Sequence, residues 1–324
     1  WQLGFKSTAQ EQRKAVDGML KYILKRIVSV IPVLLAVSIL VFLMVHLMPG
    51  DPARLIAGEM ATEEDVERVR EKYGYDQPLY VQYFRYMSNL LQGDLGTSTR
   101  TQRPVATELA TRFPNTLELA LVATALASIL GIAFGLISAQ LRYSIWDNIS
   151  MFIALIGLSI PPFYLGLMLM LIFCVNLGWL PISSDVWYIA LILPVITVGA
   201  RSMAVIARMT RSSMLEVLNQ DYILNARAHG FSEKKVVFGC ALKNSMNTIV
   251  TSMGLQFGTL LGGAVVTEKI FGWVGIGDYL VTAIKARDYQ VVQSTILVTA
   301  VAFVFVNLFI DILYAFINPR IKLS

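Results

Sequence analysis

Hydrophobic positions in this chain come in long unbroken runs, not at the three-and-four spacing of a helix with one wet face. Uncharged windows of about twenty residues, the length needed to cross a hydrocarbon core, occupy 27–48, 119–141, 245–267 and 289–310. A longer run covers 148–184. A shorter one, 186–200, stops at Arg201 but stays apolar to Arg208. The pattern predicts an all-α membrane protein with six transmembrane helices. The run 148–184 is short for two spans and a turn, and Pro161 and Pro162 predict a kink or break within it.

Charge placement orients these spans. With six spans and the N-terminus inside, the inner segments are 1–26, 142–147, 201–244 and 311–324, which hold 16 of the 27 Lys and Arg residues. Basic residues favour the cytoplasmic side, so both termini are expected inside. A seventh span would move 201–244, Arg320 and Lys322 outside. Composition agrees: 56% of the 324 residues are hydrophobic, 15% are charged, and the mean hydropathy is +0.61. A soluble domain carries about 25% charge, so an ordinary soluble enzyme is excluded.

Residues 1–18 are polar and are expected to be an expression remnant or a disordered extension, leaving 19–324 as one transmembrane domain. Met19 precedes Lys21, Lys25, Arg26 and a first span too apolar and too long for a signal peptide, which reads as a retained anchor. Cys174 falls in a span and Cys240 in an inner loop, so they are expected to be free thiols, with no disulfide framework or metal site.

Two loops stand out. The extracytoplasmic region 49–113 carries ten acidic and eight basic residues. Thr62 with Asp65 three positions on predicts a capping box, Val66, Val69 and Tyr73 share a face, and Gly74 ends that helix. A second, aromatic-rich helix starts after Pro78, at the membrane interface, and 93–96 (GDLG) is a turn. This region reads either as a structural cap or as a docking surface for a soluble partner. On the inner side, 211–244 predicts a helix ending at Gly230 and another capped by Ser232, with Val236, Val237 and Phe238 as apolar contacts. Taken alone, it is either a compact projection or a loop on lipid headgroups.

Asp221 and Tyr222, followed by Asn225, Ala226, Arg227, Ala228, His229 and Gly230, resemble the cytoplasmic signature of ABC-importer permeases. The whole of 19–324 is similar to the dipeptide, oligopeptide, glutathione and nickel permease subfamily. The landmarks are 49–52 (PGDP), 76–78 (DQP), 93–96, 116–119 (TLEL), 208–213 (RMTRSS), 272–277 (GWVGIG), 287–289 (RDY) and 318–320 (NPR). The stretches 49–58 and 254–258 look most like the glutathione-type permease. Asn225-Ala226-Arg227 departs from the broader family's Glu-Ala-Ala.

The resemblance implies a type I importer fold with a cytoplasmic coupling helix in the bacterial inner membrane. It implies a pore-forming subunit for small peptides or glutathione, with nickel or another small solute as alternatives. Glu216 and the 221–230 residues would couple to the ATPase. The implied partners are a homologous second permease, two ATPase subunits that hold ATP and Mg, an extracytoplasmic binding protein and the lipid bilayer, with no nucleic acid. No phosphate-loop motif occurs here, so the chain itself is expected to be non-catalytic and to bind no cofactor.

Within the spans, Gly131 with Gly135, and Gly254 with Gly258 and Gly262, have the small-residue spacing that lets helices approach closely. Gln256, Thr259 and Thr267 share the fifth span with those glycines. Gly254, Gln256, Gly258, Thr259, Gly263 and Thr267 are therefore read either as helix packing or as a pathway-lining stripe. Glu118, Arg201 and Asp311, with Asn307 and Asn318 near the last, are expected to be interfacial anchors. His46 and His229 lack partners at metal spacing. An ion-driven secondary transporter would show paired intramembrane acids and an inverted repeat, and neither is visible.

Overall fold

The computed structural model describes residues 2–47, 51–58, 60–182, 184 and 186–317. The side chains of 2–23, Val45, Pro52, Leu55, Asp311 and 313–317 lie outside the described part, as do Pro49, Gly50, Asn318, Arg320 and Lys322. Expectations resting on those residues, including Asp311 and Asn318 as anchors, fall outside it too.

Among the described residues the fold is helical, with an isolated bridge between Thr97 and Pro104. The long helices are α1 (Gln2–Leu47), α5 (Val105–Gln140), α8 (Trp187–Leu218) and α13 (Tyr289–Ile317). Each contains a stretch long and apolar enough to span a membrane. The backbone of 2–18 continues α1.

Two further apolar stretches are bent. Helix α6 (Ile145–Ser159) meets α7 (Pro162–Met170) and its π-helical continuation Leu171–Asn176 at 102°. The break falls at Pro161 and Pro162, where ring geometry and missing N–H groups stop helical bonding. A π-helical turn, Lys235–Ala241, runs into α10 (Leu242–Gly263), which bends by 59° into α11 (Val265–Phe271).

At one end of the bundle, α2 (Pro52–Ala57), α3 (Glu63–Tyr73) and α4 (Leu79–Leu91) form the expected helical region. The Thr62–Asp65 capping box is present, and Gly74 closes α3 with φ of 74°. The Thr62 hydroxyl and backbone N–H donate to Asp65 and hold its carboxyl below the usual range. Helix α4 packs across α1: Tyr83 and Ser38 share a hydroxyl bond of 2.8 Å, and His46 Nε2 lies 3.0 Å from Gln82 Oε1. The hairpin 97–104 is tied to α13. Ser98 donates to buried Asp288 at 2.6 Å, and the Leu95 carbonyl accepts from Gln290 and Ser294.

The tightest packing joins α5 and α8. A Cβ on Gly131 would stand 2.9 Å from Ile206 Cβ and from the Met203 carbonyl, so glycine sets that separation. Gly254 and Gly258 play the same part between α10 and α13, facing Ile310 and Phe303. A Cβ on Gly262 would meet no described atom within 4 Å, so no close approach among the described residues requires glycine there.

One ion pair staples three helices at the opposite end from α4. Arg211 of α8 donates from Nη2 to Asp147 Oδ2 of α6 at 2.9 Å, and from Nε to Oδ1 at 3.0 Å. Its Nε also reaches Ser138 Oγ of α5 at 2.8 Å, and Ser138 donates to Asp147. The Tyr143 backbone N–H completes the carboxylate's shell at 3.0 Å. Helix α8 thus runs unbroken to Leu218, and the connection expected to start at 211 starts only at Asn219.

Removing one partner of a buried pair strands the other charge, at roughly 3–5 kcal/mol. Asp147→Ala and Arg211→Ala are each expected to destabilise the protein by about 3 kcal/mol, with the double variant well below the sum. Denaturation in detergent measures this. Additive losses would show that the pair is not a functional unit of the fold.

Candidate functional site

The connection after α8 is built from short helices. Gln220 is extended, α9 (Asp221–Ala228) follows, and His229 and Gly230 end it. Gly230 has φ of +76° and no atom within 4 Å of its missing Cβ. The requirement there is for left-handed backbone, not for space. The Gly230 N–H donates to the Arg227 carbonyl and the Phe231 N–H to the Ala226 carbonyl, at 2.9 and 3.2 Å. Arg227 and Glu233 pair across the turn at 2.8 Å, and Lys235 sits 4.2 Å from the Phe231 ring centroid. His229 Nδ1 lies 2.8 Å from the Asn225 carbonyl.

Ile223 anchors this projection. It is fully buried with Leu136 and Ala139 of α5, Met214 of α8, and Val236 and Val237. Phe238 does not join them: it is 57% exposed, a correction to the expected contact, because the π-helical turn points it outward. Asp221, Tyr222, Asn225, Arg227, Ala228, His229 and Gly230 are exposed, and Ala226 is half-buried on the core side. Burial of part of the Tyr222 ring pushes its phenol pKa up. Glu216 is exposed on the last turns of α8, one helix away from this group.

The stripe expected along the fifth span divides. Thr259 is exposed on α10, with its hydroxyl donating to the Leu255 carbonyl at 2.8 Å. Gln256 is half-buried. Gly254 and Gly258 face α13, so they serve packing. Thr267 is 2% exposed, because the bend between α10 and α11 turns it into the core. Gly263's surroundings lie outside the described part. Thr259, with Leu255, Gly262 and Val266, is what remains on the open face.

Sequence reasoning missed Glu268. Its carboxylate is fully buried and accepts from Thr116 Oγ1 at 2.6 Å, Gly277 N at 2.7 Å and Asp278 N at 3.1 Å. Helix α12 (Ile276–Lys285) has no polar side chain at its start, where Gly275 stands. The signal was that missing cap, beside an acid nine residues earlier. The Glu268 carboxyl oxygens accept from the first N–H groups of α12 in place of a cap side chain.

Thr116 also accepts from the Ile276 N–H at 2.9 Å, which ties α12 to α5. Trp273 donates to the Asn115 carbonyl at 3.0 Å, and Asn115 donates to the Val274 carbonyl at 2.7 Å. A Cβ on Gly275 would run into Glu268 and Thr116, and that accounts physically for part of the glycine-rich 272–277 landmark. The α11–α12 corner is thus braced on the end of α5 remote from α9.

The bundle thus combines apolar helices long enough to span a membrane, a short projecting helix after α8 and a buried brace at the other end. The chain belongs to the family described as binding-protein-dependent transport system inner membrane component, whose model matches residues 131–323. The corresponding N-terminal family model matches 19–120. The chain is 50% identical over 305 residues to the glutathione transport system permease protein GsiC of Escherichia coli strain K12, covering 94% of this chain and 99% of that protein. The protein of the same description from Salmonella paratyphi A is 49% identical over the same length.

Among solved structures, the inward-facing MetNI methionine ABC transporter matches with a TM-score of 0.55 at 17% identity, over 65% of this chain and 96% of that one. An amino acid ABC transporter crystallised with histidines matches with a TM-score of 0.51 at 15% identity, over 66% and 94%. These likenesses establish the permease fold. The chain is an integral membrane, non-catalytic permease subunit of an ABC importer.

Glu268→Ala is expected to lower stability by about 3 kcal/mol, since three buried donors lose their acceptor, while Glu268→Gln loses less. Gly275→Ala should destabilise and Gly262→Ala should not. Thermal unfolding in detergent compares the four, and equal midpoints for the two alanine-for-glycine variants would contradict the brace.

Proposed function

We propose that this chain forms half of the translocation pore of an importer for glutathione or similar small peptides. The observation that carries the reading is the 50% identity to the glutathione transport permease, which runs over almost the whole of both chains. In this reading each bent helix pair counts as one span, giving six spans with both termini on the cytoplasmic side of a bacterial inner membrane. The α3–α4 region faces outward, towards an extracytoplasmic binding protein. A homologous second permease completes the pore as a heterodimer, and two ATPase subunits hold ATP and Mg.

The coupling residues are Glu216, Asp221, Tyr222, Asn225, Ala226, Arg227, Ala228, His229 and Gly230. The exposed face of α9 docks on an ATPase subunit, and Ile223 ties that helix to α5 and α8. Closure of the two ATPases moves α9, and α5 and α8 follow as a rigid body. Binding energy and ATP thereby switch the pore between its two facings, with no covalent chemistry on this chain.

The test is ATP-dependent uptake of labelled glutathione by proteoliposomes that hold the full complex and its binding protein. Uptake by the isolated chain, driven by an ion gradient, would overturn the reading. Gly230→Val places a β-branched residue at positive φ, at a cost of roughly 1–2 kcal/mol, whereas Gly230→Asn tolerates that backbone. The expected outcome is ATP hydrolysis without uptake for valine, and near-normal coupling for asparagine. Normal uptake by the valine variant would count against the coupling role.

A further inference from the structure

Two helix faces that are open among the described residues lie side by side. On α8, the positions against α5 are Gly199, Met203, Ile206 and Thr210, which approach Ala123, Gly131 and Gly135. Arg201, Arg208 and Ser212 are exposed, and each lies two positions beyond a member of that series. Two positions are about 200° of helix turn, so these three point away from α5. Leu261 of α10 and Ala264, the residue that ends it, share a core cluster with Leu119 and Ala123 of α5. Thr259 and Gly262, two positions before them, are exposed and also point away. Since α8 and α10 touch through Ile206 and Ile249, both open faces lie on the same side of the bundle.

Arg201 is the deepest charge on this double face. It stands seven positions from Arg208, about 10 Å along the axis, about a third of the way into a hydrocarbon core of about 30 Å. Ile206 shares a core cluster with Ile249 of α10, and Arg201 lies five positions before Ile206, about 8 Å along the axis. Arg201 forms no hydrogen bond, ion pair or ring contact with the described residues.

An unpaired guanidinium at that depth costs several kcal/mol against lipid or an apolar interface, and charges at such positions face water-filled paths or bound partners. Its planar fork of donors matches a carboxylate. The Thr259 hydroxyl donates to Leu255, so its oxygen keeps lone pairs free for an N–H group on the open side.

We infer that Arg201 lines the translocation path and binds the carboxylate of an anionic solute, with Thr259 accepting from that solute's ammonium or amide. This assigns the solute class as carboxylate-bearing, and glutathione, with two carboxylates and one ammonium, fits it. Arg201 is then a specificity-determining residue, not an interfacial anchor. The inference rests on the importer reading above.

The experiment uses the complete complex in proteoliposomes with labelled glutathione. A wild-type complex without ATP-driven uptake defeats the importer reading itself. With the wild type active, Arg201→Gln is expected to lower the uptake rate about tenfold, the value of one charged hydrogen bond. Arg201→Lys, which keeps the charge without the fork, is expected to fall between. With Cys174 and Cys240 replaced by serine, the Arg201→Cys variant should react with a membrane-impermeant anionic thiol reagent in at least one nucleotide state, and S-methylglutathione, which has no thiol to consume the reagent, should slow that reaction.

Wild-type uptake by Arg201→Gln overturns the proposal, as does a cysteine that is never labelled or never protected. If neither the glutamine nor the lysine variant co-purifies with its partner subunits, Arg201 belongs to a subunit interface and the proposal also fails.

Discussion

The close approach of α5 and α8 sets the geometry of the rest. Lipid tails are as apolar as leucine, so helices in a membrane gain little by hiding apolar surface from one another. They associate through tight contact and through polar groups that must find partners. Gly131 and Gly135 provide the contact here, and the Arg211–Asp147–Ser138 cluster provides the polar tie at one end. Around that pair the other elements take their places: α6 held by Asp147, α10 by Ile249 against Ile206, and α9 by Ile223.

The same logic governs the charges. Asp147, Glu268 and Asp288 are buried, and each sits in a shell of hydroxyl, backbone or guanidinium donors. A buried carboxylate with a full shell is a strut, since any movement that opens the shell exposes unsatisfied donors. Arg201 differs because none of the described residues answers it. The contrast between satisfied and unanswered charges separates framework from working surface.

Much of this was legible in the sequence where the signal was local. The long apolar runs announced the spans, Thr62, Asp65 and Gly74 bounded α3 correctly, and Pro161 and Pro162 marked the break between α6 and α7. Gly230 was recognised as a turn because a left-handed position asks for glycine. What stayed hidden was long-range. Asp147 and Arg211 lie 64 positions apart and Thr116 and Glu268 lie 152 apart, and no periodicity connects them. The start of α5 at Val105 was missed because Glu108 and Arg112 made it look like loop; they pair with each other, and Arg112 also lies over the Tyr279 ring. Of the two readings of Thr267, packing or pathway lining, its burial beyond the 59° bend fits packing, and no local sequence signal marks that bend.

The two ends of α5 carry different devices. Ala139 near one end helps to bury Ile223 of the projecting helix, and Thr116 near the other holds Glu268 and the start of α12. The helix between them spans about 35 Å by its rise, and its glycines are clamped on α8. It therefore joins the two devices as one stiff element, gripped on α8 nearer its Ala139 end. Neither device can then be displaced along the membrane normal without the helix that carries the other, so the two surfaces of the protein are mechanically one part.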